Sequence, residues 1–218
     1  LNGQTKSFGP LFSLDRALGG QAFGSRWTRR TPMKIEPRNA TDPFTIGGKP
    51  SGFTVGDFWR WGVSDLLMNT TRGAVAEFIV TKALHCTAAV RDSWCPYDLR
   101  TEQGIKVEVK SASYRQAWAT QEPSRIVFSV APATEWDPGT GKMMGGPKRH
   151  SDIYVFCLLE NREPVPEDPI ELSRWKFLVL PTRVINSSCG DQRSIGLPNV
   201  LRLKPAVCGF SGLADAVR

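Results

Sequence analysis

Between Arg72 and His85 the chain is apolar on nearly every side of a helix: Ala74, Val75, Ala76, Phe78, Ile79, Val80, Ala83 and Leu84 leave no wet face. A helix of that kind has to be buried. The rest of the chain must therefore supply layers to cover it, and 218 residues are enough to do so without disulfides or a structural metal. Thr70 or Thr71 is a suitable N-cap for this helix, and Glu77 is its only acid.

A first helix is expected from Thr54 to about Met68, with Phe58, Trp61, Leu66 and Leu67 on one face. Short β-type runs follow at Tyr97–Thr101, Ile105–Lys110, Arg125–Ala131, Ile153–Leu159 and Lys176–Leu180. Pro181 can start a short helix to about Asn186. A last edge strand is expected over Leu197–Leu203, and Ser211 can cap a terminal helix through Val217. Residues 132–150, with Gly, Pro, Lys and Arg, read as a mobile loop. A helix pair followed by mostly hairpin-linked strands predicts an α/β sandwich with a mixed sheet.

Residues 1–52 show no sustained period and read as a basic, loosely structured arm, leaving 53–218 as a single α/β domain. The first fifty residues hold eight Lys or Arg against three Asp or Glu, a net +5 of the chain's +7. Such an arm can lie along a phosphate backbone or be a solvated tail. Met33 is the first methionine and a candidate natural start. A basic balance makes nucleic acid or an anionic membrane surface a reasonable partner but fixes no fold. The longest apolar run, Ile153 to Leu159, is far short of the roughly 20 residues that span a bilayer. No leader-like segment opens the chain, so no membrane association and a cytoplasmic setting are expected. Five cysteines at irregular spacing, with no C-x-x-C pair, argue against a disulfide framework or a zinc cluster. With only His85 and His150 there is little material for zinc or for Ser-His catalysis. Gly48-Lys49 and Gly141-Lys142 lack the remainder of a phosphate loop.

The chemistry concentrates between Pro96 and Lys110. A three-residue loop, Glu102-Gln103-Gly104, with Gly104 at positive φ, sets Thr101 against Ile105. In that register Asp98 lies across from Glu108. Tyr97, Leu99, Ile105, Val107 and Val109 then point one way, and Asp98, Arg100, Lys106, Glu108 and Lys110 the other. A slip of one residue would break this pairing. Directly opposed carboxylates destabilise a sheet unless exposed, paired with a cation or bound to metal. Lys106 or Lys110 can supply the cation, or a hard divalent ion such as Mg²⁺ can. Asp98 and Glu108 would hold the ion, the Val109 carbonyl would offer a third ligand, and Glu77 would complete the cluster. Lys110 would orient the attacking water or stabilise the phosphate in phosphodiester hydrolysis. The alternative is a charged, solvent-facing hairpin held by cross-strand ion pairs.

Asp98, nine intervening residues and Glu108-Val109-Lys110, with a helix bearing Glu77 upstream, resemble the PD-(D/E)xK nuclease superfamily. The family's Pro-Asp is stretched here to Pro96-Tyr97-Asp98. The resemblance spans roughly residues 71–131. It implies a restriction-endonuclease-like fold, a central mixed β-sheet flanked by helices. It also implies a Mg²⁺-dependent deoxyribonuclease, with Mn²⁺ able to substitute, in which Asp98, Glu108 and Lys110 are catalytic and Glu77 is a supporting ligand. DNA is the implied partner. A homodimer is an option, since restriction-type enzymes often pair to cut two strands. The other reading is a nucleic-acid-binding module of the same fold without catalysis.

Ser111 and Gln116 sit where a supporting polar group follows the lysine. Arg115, just past the catalytic strand, is a candidate substrate contact. Lys142, Lys148 and Arg149 could grip a phosphate backbone or enter a groove. Trp118 and Trp136 read as core residues, with base stacking as the alternative.

Overall fold

In the computed structural model, described for residues 35–218 except 89, 94, 119–121, 138 and 161–167, the centre of the molecule is a five-stranded mixed sheet. Its strands in chain order are β3 (Leu99–Arg100), β4 (Lys106–Ser113), β8 (Ile153–Leu159), β9 (Trp175–Pro181) and β11 (Ala206–Cys208), arranged β11-β9-β8-β4-β3. β4 and β8 are parallel and the other pairs antiparallel. This is the mixed-sheet α/β architecture expected, and its parallel pair, β4–β8, is joined by a crossover.

β8 and β9 explain why the sheet is the core. In β8, Val155, Cys157 and Leu159 enter one apolar cluster, and Tyr154, Phe156 and Leu158 the other. A strand covered on both faces reads as a continuous apolar run, which is what Ile153–Leu159 is. Helices α2 (Asn69–Ala83) and α5 (Leu213–Val217) cover the first face. The second is covered by β5 (Val127–Ser129), α3 (Thr182–Cys189), β10 (Ser194–Gly196) and α4 (Leu197–Arg202).

α2 begins three residues earlier than expected. Neither Thr70 nor Thr71 caps it; Met68 precedes it with no side-chain cap, while the Asp65 carboxylate takes the amides of Leu67 and Met68. Nor is it buried all round. Ala76, Ile79, Val80 and Ala83 are buried, but Phe78 is 60% exposed under the ammonium of Lys82. The all-apolar helix thus has one face turned to solvent beside the site described below. α1 (Val55–Val63) is shorter than expected and starts with a capping box between Thr54 and Asp57.

Leu197–Leu203 is a helix, not an edge strand. Pro198 sits at its first turn, where its missing N–H costs nothing; in a strand it would remove a ladder bond. The edge position goes to β11. Residues 132–150 also depart from expectation. They form a hairpin of β6 (Ala133–Asp137) and β7 (Lys142–Lys148), whose turn is tied by the Asp137 carboxylate to the Gly139 amide and the Thr140 hydroxyl. Of the basic arm, residues 1–34, Met33 included, lie outside the described residues. Its end is a hairpin, β1 (Pro43–Ile46) and β2 (Lys49–Thr54), turned at Gly47 and Gly48, both at positive φ. Among the described residues, no helix is long and apolar enough to cross a membrane.

Candidate active site

The β3–β4 hairpin has the expected register: Leu99 faces Val107 and Arg100 faces Lys106, with Gly104 at φ 87° in the turn. Its apolar side is buried through Leu99, Val107 and Val109. Glu108 and Lys110 alternate to the other side, and the Lys110 ammonium bonds the Glu108 carboxylate at 2.5 Å.

Asp98 does not sit in the ladder as expected. β3 starts only at Leu99, and the Asp98 amide donates to the Val107 carbonyl at 3.1 Å. Its carboxylate accepts the Val109 N–H at 2.7 Å, replacing the strand neighbour that β4 lacks there. The acid is thereby fixed to the backbone of the strand that carries Glu108 and Lys110. Burial, then the neighbouring Glu108, push its pKa up to about 6; Lys110 and the Val109 amide pull the other way. A carboxyl raised in this manner is held first by a poorly solvated site and second by a neighbouring negative charge.

Tyr154, on β8 and beside Glu108 in register, is buried, and its phenol is pushed up to about 12, first by burial and then by Glu108. The sequence pattern does not reveal it, because strand pairing across forty-six positions leaves no local signal.

Glu77 projects from α2 into a groove of about 350 Å³ shared with Asp98, Tyr97 and Arg91. Its carboxylate, 13% exposed, is bonded by the Arg91 guanidinium through both oxygens. Arg91 also feels Asp98, so it bridges the two acids electrostatically. It comes from the loop after α2 and had no motif to announce it. Among the described residues, no three of His, Cys, Asp and Glu are grouped closely enough to hold a metal ion. The acids present two carboxylates from the hairpin, of which Glu108 is paired with Lys110, and one from the helix, Glu77, paired with Arg91.

Ser111 and Gln116 are not beside the acids. Ser111 accepts from Arg72 of α2 at 3.2 Å and Gln116 at 3.4 Å. Strand alternation carries Ser111 to the α2 side, opposite to Lys110. Arg149 spends its guanidinium on the molecule itself, donating to the carbonyls of Val130 and Gln192 and to the Asn186 side chain. Lys142 and Lys148 stand exposed on β7. Arg115 lies between β4 and β5, half-buried, its carbonyl accepting from Ser113. Trp118 and Trp136 are surface residues, a correction to the core reading. Among the described residues the buried tryptophan is Trp175, whose ring closes the α2 side of the sheet.

A family model described as Bacteriophage T4 endonuclease IV matches residues 62–196, more than half of the chain. The match contains Glu77, Asp98, Glu108 and Lys110. No curated protein matches the chain.

Proposed function

The chain belongs to the bacteriophage T4 endonuclease IV family, and we propose that it is a metal-dependent endonuclease hydrolysing DNA phosphodiester bonds at Asp98, Glu108 and Lys110. One observation carries this reading: Asp98 is anchored by the Val109 amide on the strand that presents Glu108 and Lys110. The PD-(D/E)xK assignment rests on that same hairpin.

The donor set fits Mg²⁺ or Mn²⁺. Both acids offer hard oxygens, and Mg²⁺ commonly binds through one or two carboxylates while keeping several waters. A three-acid cage is thus not required. Burial first and Glu108 second raise the Asp98 pKa, and a divalent ion would offset both by pairing with the ionised carboxylate. When bound, the ion acidifies a water and screens the phosphate oxygens. The chain's own part is to hold Asp98 and Glu108 on one strand edge and to keep the Lys110 ammonium where a phosphate oxygen gathers charge. The Val109 carbonyl is a further ligand candidate.

Incubation with supercoiled plasmid is expected to give nicking in Mg²⁺ and Mn²⁺ and none with chelator. Lys110→Ala is expected to cut about 10²-fold more slowly, the worth of one such donor. Binding without cleavage in any metal favours the second reading, a DNA-binding module without catalysis. That reading has its own support, because Glu77 and Glu108 are each already paired with a cation.

The role of Glu77 can be separated from the rest. If it is a ligand, Arg91 competes with the ion for it. Arg91→Ala should then tighten Mn²⁺ binding by up to about fivefold, the worth of a partly exposed ion pair, read by titration. Unchanged affinity would make the Glu77–Arg91 pair purely structural.

A further inference from the structure

One buried charge lies outside the acidic cluster. Arg72, in the first turn of α2, is 4% exposed. Its Nε donates to the Ser111 hydroxyl at 3.2 Å. Nη1 donates to the Leu67 carbonyl at 3.0 Å and to the Gln116 side chain at 3.4 Å, and Nη2 to the Asn69 side chain at 2.8 Å. All four acceptors are neutral. Among the described residues no carboxylate pairs with it, and burial draws its pKa below the usual arginine range. A buried cation without a counter-charge is costly, and packing alone would be served better by an aliphatic side chain. Nη2 retains a second N–H with no acceptor among the described residues, since a guanidinium carries five.

Arg72 lines an open cleft of about 390 Å³ between the start of α2, the second half of β4 and the segment entering β5. The lining includes Asn69, Ser111 and Gln116, with Arg125 and Trp118 exposed, and among the described residues it holds no carboxylate. Trp118 is 57% exposed. A polar cleft with two arginines and no acid is built for an anion. Its place is equally specific. β3 pairs with β4 only as far as Val107, so beyond it that edge of β4 has no strand partner among the described residues. The backbones of Glu108 and Ser111 follow along this edge, three residues apart, about 10 Å, with their side chains on its two sides.

We propose that this cleft holds a backbone phosphate of the DNA strand beside the phosphate that is cut. Arg72 supplies the fixed charge, Arg125 closes from the rim and Trp118 stacks on the adjoining base. The position beside a cut phosphate rests on the nuclease reading above; the phosphate site itself does not.

The test is binding of a fluorescein-labelled single-stranded DNA oligonucleotide, followed by anisotropy in chelator so that nothing is cut. Trp118→Ala is expected to weaken binding about tenfold, the loss of one stacked base. Arg125→Ala is expected to weaken it and to lower the salt slope by about one. Arg72→Gln should do the same, after thermal melting has shown that it folds. Trp118 and Arg125 are exposed and carry the test if it does not. Trp118→Ala and Arg125→Ala both binding as tightly as wild type, with the same salt slope, overturn the proposal even if the protein cuts plasmid. Weakened binding in a protein that cuts in no metal overturns the nuclease reading and leaves the phosphate site standing.

Discussion

Asp98→Asn will abolish DNA cleavage and, in the same protein, raise the melting temperature at pH 8. The first effect follows from removing a carboxylate that the proposed ion needs. The second follows from the carboxyl's raised pKa. In the fold it titrates near 6, because burial and Glu108 disfavour its charge, against an ordinary value of 3.8. A group raised on folding gives its full stabilisation below the unfolded value and loses it as pH climbs through the folded one. Ionised Asp98 therefore burdens the fold above about pH 6, by roughly 3 kcal/mol for a shift of about two units. Asparagine, always neutral, avoids that burden and still accepts the Val109 amide. In chelator, variant and wild type should melt together near pH 4 and diverge upward through pH 6. Adding Mg²⁺ at pH 8 should raise the wild-type melting temperature and leave the variant's nearly unmoved. Equal melting temperatures at pH 8 without metal would mean that the acid is not crowded as described.

Phe156→Ala should cost about 3–5 kcal/mol, a large share of the 5–15 kcal/mol that holds a typical domain together. Phe156 is fully buried at the middle of β8, its ring against Phe128 at 4.9 Å and Tyr154 at 5.8 Å. The cavity would open beside Lys110, which Phe156 faces across the β4–β8 ladder. A denaturant melt of the Lys110→Ala protein, with and without Phe156→Ala, isolates the packing loss from any change in the site. A loss below about 1 kcal/mol would show that the second layer, β5, β10, α3 and α4, is loosely packed on the sheet.

The hairpin was the most legible part of the chain, for a local reason. Strand alternation, a glycine that tolerates positive φ and a three-residue loop fix the register from neighbours alone. So Leu99 opposite Val107, and Glu108 sharing a face with Lys110, could be read in advance. The same logic placed β8, whose unbroken apolar run admits only a buried strand here, and α3 behind Pro181. Elsewhere a single residue carries the local signal. Pro198 marks α4 as a helix start, and Asp137 with Gly139 and Gly141 marks the β6–β7 turn. Arg72 was also visible as the lone cation opening an apolar helix.

What the sequence by itself determined is the acid–acid–lysine spacing of Asp98, Glu108 and Lys110, because the pleat of a strand assigns faces at short range. Tertiary structure decided what those groups meet: Asp98 leaving the ladder to take the Val109 amide, Arg91 claiming Glu77, and Tyr154 brought beside Glu108 by a parallel crossover. It also gathered Ser111 and Gln116 around Arg72 and not around the acids. Those contacts join residues eleven to forty-six positions apart. Their partners are chosen by how helices and strands stack on one sheet, a non-local balance of burial and charge with no periodic trace along the chain.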